Sequence, residues 1–294
     1  MTGIKKGSIQ LCVLVLLGAG GVNAQDGTDT LYKRPKDTMD LVVKWKQIGK
    51  GVHFCETDAP LRSTLGDSKL TMLKIDPKQV EFELFTATQM DSTSKPVNVW
   101  ADTMNLNIVF NAGMYDLAKP LTSRGLLKSG DHHNQLTFKE GWNVMFAINP
   151  LDPLNKRDAV VYDMQCIPYD SIRDKYSSFA QGIRMLDCSG NPMNWKKNQS
   201  CSMLVCANDD QDNLIIIFNR SPFPQNHMIA FMKQFPTPLH NAIYMEGGPE
   251  TSLYVHVGDF CLQKVGSYVS GTYARDTNEK FWPLPNVIGI RVKK

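Results

Sequence analysis

The sequence predicts an α+β fold, a single domain built on a strand-rich mixed sheet flanked by a few helices. Three observations predict it. Short runs in which apolar and polar residues alternate, each stopped by Pro, Gly or Asn, recur along most of the chain. Strand-like runs outnumber helix-like ones about three to one, with no regular strand–helix alternation, which disfavours a doubly wound sheet. Apolar residues make up 42% of the 294, ample for a core and too many for a disordered chain.

The chain opens with a basic pair, Lys5 and Lys6, followed by an apolar run over residues 11–17 and a Val22-Asn23-Ala24 stretch that suits signal peptidase. The run falls short of the ~20 residues that span a bilayer, and Gly18, Gly20 and Gly21 interrupt it. Residues 1–24 are therefore expected to be a cleaved secretory signal, and the mature protein is expected to be periplasmic or secreted, with no transmembrane segment. Loss of Lys5 and Lys6 leaves 30 basic against 29 acidic side chains, so the net charge falls from +3 to +1. That near-neutral balance excludes a nucleic-acid binder, which needs a basic stripe. Six cysteines remain, Cys55, Cys166, Cys188, Cys201, Cys206 and Cys261. In an exported chain they predict one or two disulfides, with the pairing left open.

Residues 25–50 are polar without a clean period and read as a surface lead-in, and residues 51–294 form the domain. Residues 69–77 alternate and end at Pro77, and residues 80–87 repeat the pattern, so both read as half-buried strands. Residues 96–106 read as a short helix, with Val97, Trp100 and Met104 at helical spacing. Residues 107–110 form an apolar strand. Residues 119–134, rich in Gly, Ser, Lys, Asp and His, read as an exposed loop. Further strands are expected over 144–148, 159–164, 203–207, 214–218, 242–245, 254–257 and 287–292. A second helix is expected over 222–235, with Met228, Ile229, Met232 and Phe235 on one side.

Two places share one design, a buried strand ending in a glycine-containing polar turn: residues 108–116 and residues 242–252. A strand fixes the direction of the residue at its end, and glycine lets backbone approach a ligand. Ordinary turn chemistry is the rival explanation for both. Neither has the spacing of a nucleotide-phosphate loop. Asp131-His132-His133 suggests a metal only weakly, because no second histidine cluster accompanies it, and no metal or cofactor is expected. Ser252 lacks the surroundings of a hydrolase nucleophile.

The same stretches carry a resemblance. Asn111-Ala112-Gly113-Met114-Tyr115, Gly125-Leu126, Asn143-Val144-Met145-Phe146, Gln181-Gly182-Ile183-Arg184 and Glu246-Gly247-Gly248-Pro249-Glu250 follow one another as in the phosphodiester glycosidase family, which this chain resembles from Leu70 to Val292. Three departures stand out. Glu246 stands where the family usually has Asp, Ser202 stands where eukaryotic members have Arg, and Gln181-Gly182-Ile183-Arg184 replaces a Gln-Ser-Gly-Pro run.

The resemblance implies hydrolysis of a sugar phosphodiester or related glycan linkage, with a carbohydrate or glycosyl phosphate as partner. It implies Glu246 as the carboxylate beside the sugar C1, Arg184 as the cation holding phosphate and Asn111 as a hydrogen-bonding partner of a sugar hydroxyl. Tyr115, Asp116, Gln181, Ser202, Gly247, Gly248, Glu250 and Ser252 complete the expected substrate-binding set. A surface ion pair with Asp187 is the competing use of Arg184. The alternative function is a non-catalytic glycan-binding or envelope polysaccharide-associated protein with the same fold.

Overall fold

The computed structural model describes residues 38–116, 118–155, 157–195 and 199–293. The expected signal segment, 1–24, lies outside them. In chain order the strands are β1 (Lys46–Gly49), β2 (Val52–Asp58), β3 (Lys69–Ile75), β4 (Val80–Thr86), β5 (Ile108–Asn111), β6 (Tyr115–Asp116) and β7 (Lys119–Ser123). They continue as β8 (Leu127–Ser129), β9 (His132–Gln135), β10 (Val144–Pro150), β11 (Ala159–Asp163), β12 (Tyr176–Leu186), β13 (Ser200–Asp209) and β14 (Leu214–Pro224). The last are β15 (Leu239–Gly247), β16 (Ser252–Val257), β17 (Phe260–Val265) and β18 (Asn286–Val292). The described α-helices are α1 (Val97–Met104) and α2 (Gln225–Met232).

Two sheets dominate. The larger runs β1-β2-β3-β14-β13-β15-β12-β10-β11, with β8 and β9 attached through β12, and the smaller runs β17-β16-β5-β18-β4. The β6–β7 hairpin stands apart. Every described pairing between these strands is antiparallel, which corrects the mixed sheet expected from sequence, and the α content is smaller than an α+β fold implies. Consecutive strands joined by short connections, such as β2–β3, β10–β11, β13–β14 and β16–β17, can only pair antiparallel, and the pairs between strands distant in sequence run the same way.

The inner faces of the sheets meet. Leu73, Phe146, Leu204, Ile216 and Met245 from the large sheet pack with Phe82, Phe110, Leu253 and Ile288 from the small one in one cluster. Alternation explains it: in β4, Phe82 and Leu84 point inward while Glu81 and Glu83 reach solvent. Helices cover the outer faces. Met228 and Phe231 of α2 cover Val205 and Ile217 of the large sheet. Trp100 of α1 packs with Phe85, Val109 and Val287 on the small one. Burying each such side chain stabilises the fold by roughly 1.5–3 kcal/mol.

Several local expectations shift by a few residues. Helix α2 starts only at Gln225, because β14 stays extended as far as Pro224 and keeps pairing with β13. Helix α1 ends at Asn105, whose φ of 51° is the left-handed stop that Asn tolerates. Residues 119–134, expected to form a loop, carry β7, β8 and β9. The described part of the lead-in is less exposed than expected. Leu41 is buried, Val43 and Trp45 pack against the core, and the Leu41 N–H donates to Gln234 Oε1 at 3.1 Å. One disulfide joins Cys166 to Cys188, while Cys55, Cys201 and Cys206 are buried free thiols and Cys261 is an exposed one.

Candidate functional site

The two strand-to-turn segments meet where the chain crosses from one sheet to the other. β15 lies between β13 and β12, and near its end an extra residue, Met245, bulges out because Leu204 faces Glu246 while Val205 already faces Tyr244. Bulges re-aim the side chains that follow them. A short turn over Gly248–Glu250 then carries the chain into β16. Gly248 adopts a φ of 80°, which favours glycine.

Asn111, at the end of β5, fastens this crossing. Its Nδ2 donates to the Glu250 carbonyl at 3.0 Å, and its Oδ1 accepts from the Ser252 N–H at 2.8 Å. The Ser252 hydroxyl donates to the same Glu250 carbonyl at 3.0 Å. Asn111 and Ser252 are both fully buried, so they shape the turn that carries the acids.

Glu246 and Glu250 are the buried acids of the crossing, 7% and 8% exposed. Burial, then the charge of Glu250, pushes Glu246 well above the usual carboxylate range; the Gly247 N–H, donating to Oε1 at 2.9 Å, and the Arg124 guanidinium pull the other way. Burial pushes Glu250 up to about 7. Tyr115, in the β6–β7 hairpin, feels both acids. Burial raises its phenol first and the two carboxylates add to the rise, so it keeps its proton and remains a donor.

Arg124 escaped the sequence reading, which placed it in a loop. It follows β7, and its N–H donates to the Met114 carbonyl at 3.0 Å, one residue before Tyr115. Its half-buried guanidinium makes no ion pair among the described residues, and its charge reaches Glu246. The available hint was its place directly before Gly125-Leu126.

Gln181 braces this segment. Its Oε1 accepts from the Leu126 and Lys139 N–H groups at 3.0 and 2.8 Å, and its Nε2 donates to the Trp142 carbonyl at 2.7 Å. The Ser202 hydroxyl donates to the Arg220 carbonyl and accepts from the Ser267 and Tyr268 N–H groups at 2.9 and 3.2 Å. It thus fixes the loop whose Val269 backs Gly248. Asp116 accepts from the Ala118 N–H at 2.9 Å and closes the hairpin turn.

Arg184 lies elsewhere on β12. One of its terminal nitrogens reaches both carboxylate oxygens of Asp163, at 2.8 and 2.9 Å, and the Asp163 side chain is wholly buried. The expected alternative partner, Asp187, instead accepts from the Ser189 and Asn191 N–H groups. Among the described residues, Asp163, Cys166 and Cys188 are the group spaced for a metal, but the two sulfurs are joined to each other. His132 bonds Thr88 at 2.9 Å, and His133 is exposed.

Gly247 is required by space. A Cβ there would lie 1.8 Å from Tyr244 Oη and 3.2 Å from Cys201 Sγ, and that hydroxyl already contacts the thiol at 3.6 Å. Burial pushes the Cys201 thiol up to about 12, so it stays protonated. Gly247→Ala is expected to destabilise the protein by about 1–3 kcal/mol, as overpacking does, read as a lower urea midpoint at unchanged slope. Adding Tyr244→Phe, which removes the clashing oxygen, restores part of that loss.

No family model matches the sequence, and no curated protein does. Solved structures do resemble the fold. The catalytic domain of zebrafish N-acetylglucosamine-1-phosphodiester alpha-N-acetylglucosaminidase, auto-inhibited by its pro-peptide, aligns with a TM-score of 0.53 at 12% identity over 86% of this chain and 89% of that one. A hypothetical protein from Synechocystis aligns with the same score and identity over 86% of this chain and 64% of its own. At such identity the shared property is the fold.

Proposed function

We propose that this protein is an exported glycosidase that hydrolyses sugar phosphodiesters at the bond between the sugar C1 and the phosphate oxygen. The observation that carries this reading is the buried Glu246–Glu250 pair at the sheet crossing, with Tyr115 and Arg124 beside it. Likeness in fold to a phosphodiester glycosidase supports it.

Cleavage of this bond passes through an oxocarbenium-like transition state. Two neighbouring carboxyls that both resist ionisation share one proton near neutral pH. In this reading the ionised member, Glu250, stabilises positive charge at C1, and the protonated member, Glu246, gives its proton to the departing oxygen. The bond electrons leave with the phosphate, and water adds to C1 and returns a proton to the pair. Arg124, whose guanidinium has no ion-pair partner among the described residues, holds the phosphate, a task Arg suits through its fork of donors. Arg184 is not assigned it, because Asp163 occupies that guanidinium. Tyr115 donates to the substrate.

A binding role is the second reading. Ser202, at the place of the family's Arg, has its hydroxyl taken up by Arg220, Ser267 and Tyr268 and brings no charge. The test is release of sugar from N-acetylglucosamine and mannose 1-phosphodiesters against the matching neutral glycosides. The phosphodiesters are expected to react with the larger kcat/KM. Arg124→Gln is expected to lower that value by roughly 10- to 100-fold, mostly through KM, as loss of a charge-assisted contact does. If no sugar is released while the intact compounds bind, the second reading replaces the first.

A further inference from the structure

A hollow of about 410 Å³ opens at the opposite end of β5 and β16 from the carboxyl pair. Asn107, just before β5, is four residues from Asn111, so the hollow lies on the order of 13 Å along the strand from the sheet crossing. Its volume falls in the range of small-molecule sites, about 300–1,000 Å³. Asp102 and Asn105 from the end of α1 and Tyr254 and His256 from β16 line it, with Ala101 and Leu106 as apolar wall.

The polar groups of this hollow divide into two sets. Asn107 is used by the fold: its Nδ2 donates to the His256 carbonyl at 3.0 Å, and its Oδ1 accepts from the Val292 N–H at 2.9 Å. The Asp102 carboxylate, the Asn105 amide, the Tyr254 hydroxyl and the His256 imidazole have no hydrogen-bond partner among the described residues. Asp102, Asn105 and His256 are exposed, whereas Tyr254 is buried with its ring in the cluster around Trp100. Burial raises the Tyr254 phenol, and the neighbouring Cys261 and Asp102 add to the rise, so this hydroxyl keeps its proton.

We propose that this hollow is a second binding site, one that takes an uncharged polyhydroxylated ligand of the size of a monosaccharide or the end of a glycan. A carboxylate and an amide on one wall supply acceptors and donors for adjacent hydroxyls, and a phenol and an imidazole on the other supply both. Ala101 and Leu106, both nearly buried, close the back of the hollow. Among the described residues no Lys or Arg lines the hollow and Asp102 is its acid, so phosphate and carboxylate ligands are disfavoured by charge. The site is separate from the Glu246–Glu250 pair and does not require that pair to be catalytic.

Amide-resolved NMR titration of the ¹⁵N-labelled protein tests it, with methyl α-mannoside and N-acetylglucosamine as probes and methylammonium and inorganic phosphate as controls. The sugars are expected to shift the amides of Ala101, Asn105 and Gly258 with millimolar affinity. Asp102→Ala is expected to weaken that binding at least tenfold. So is Asn105→Gly, which keeps the left-handed backbone while removing the amide, and both variants should leave the melting temperature unchanged. Absence of shifts at these amides at tens of millimolar sugar overturns the proposal. So do shifts that persist undiminished in both variants, or shifts produced by methylammonium or phosphate in place of the sugars. Because the readout is binding, a failure of hydrolysis at the sheet crossing leaves this outcome unaffected.

Discussion

Glu246→Gln is expected to lower kcat for sugar phosphodiester hydrolysis by about 10²–10⁴-fold, the range for removing a positioned acid–base group, while making the folded protein more stable in mild alkali. The two effects have one cause. Both carboxyls of the pair have their pKa raised above the ordinary value of 4.5, Glu250 to about 7 and Glu246 well above its usual range. The folded protein therefore keeps protons that the unfolded chain gives up, and stability present in acid is lost as pH rises through those values. At about 1.4 kcal/mol per unit, the Glu250 shift alone corresponds to roughly 3 kcal/mol lost by mild alkali. Gln keeps the shape and still accepts the Gly247 N–H, but carries no charge to desolvate. The melting temperature of Glu246→Gln should exceed that of the wild type by several degrees at pH 8 and match it near pH 4. A variant that turns over at the wild-type rate refutes the catalytic role, and one with no stabilisation at pH 8 refutes the buried-charge account.

Breaking the Arg184–Asp163 pair should produce the largest stability loss among single polar substitutions. Asp163→Ala leaves a guanidinium 14% exposed with no counter-charge, and Arg184→Met leaves a wholly buried carboxylate. Removing one partner of such a pair costs about 3–5 kcal/mol, because the remaining charge stays out of water. Asp163 also accepts the Gln165 N–H at 3.0 Å, in the turn that leads to the Cys166–Cys188 disulfide. Asp163→Ala should therefore unfold at markedly lower urea than Arg184→Met paired with Asp163→Leu, where no charge remains. Chemical denaturation of the three proteins measures the difference. Equal midpoints would mean the pair contributes through shape alone.

Much of the β framework was legible because it is written locally. β4 and β3 alternate apolar and polar residues, and β5 is a short apolar run that ends in a polar turn, so each announces itself within about seven residues. β12 was missed because it is buried on both faces for much of its length and contains Gly182, so no alternation marks it. β8 and β9 were missed because Lys, Ser and His dominate them, and pairing with β12 is what makes them strands. Strand direction was misread because it depends on connections across the chain. The two strand-end turns were legible as a pair, and the structure brings Asn111 against Glu250 over 139 residues of sequence. The partner of Arg184 was not legible, since Asp163 reaches it only through the register of β10 between β11 and β12. Arg124 was hidden for the same reason: what gives it meaning is Glu246, more than a hundred residues away.

The Asn111 fastening has a kinetic consequence. Its two bonds to the Glu250–Ser252 turn tie together residues 139 and 141 positions apart and continue the β5–β16 ladder, in which Phe110 faces Leu253. Contacts of such long sequence separation impose the greatest loop-closure entropy and form late in folding. The ladder between β5 and β16 closes the same long loop, so the carboxyl pair is enclosed only once that distant pairing has formed, and the desolvation that raises both acids arrives with it. The chain spends its early folding with Glu246 and Glu250 hydrated, ionised and harmless to the collapsing core.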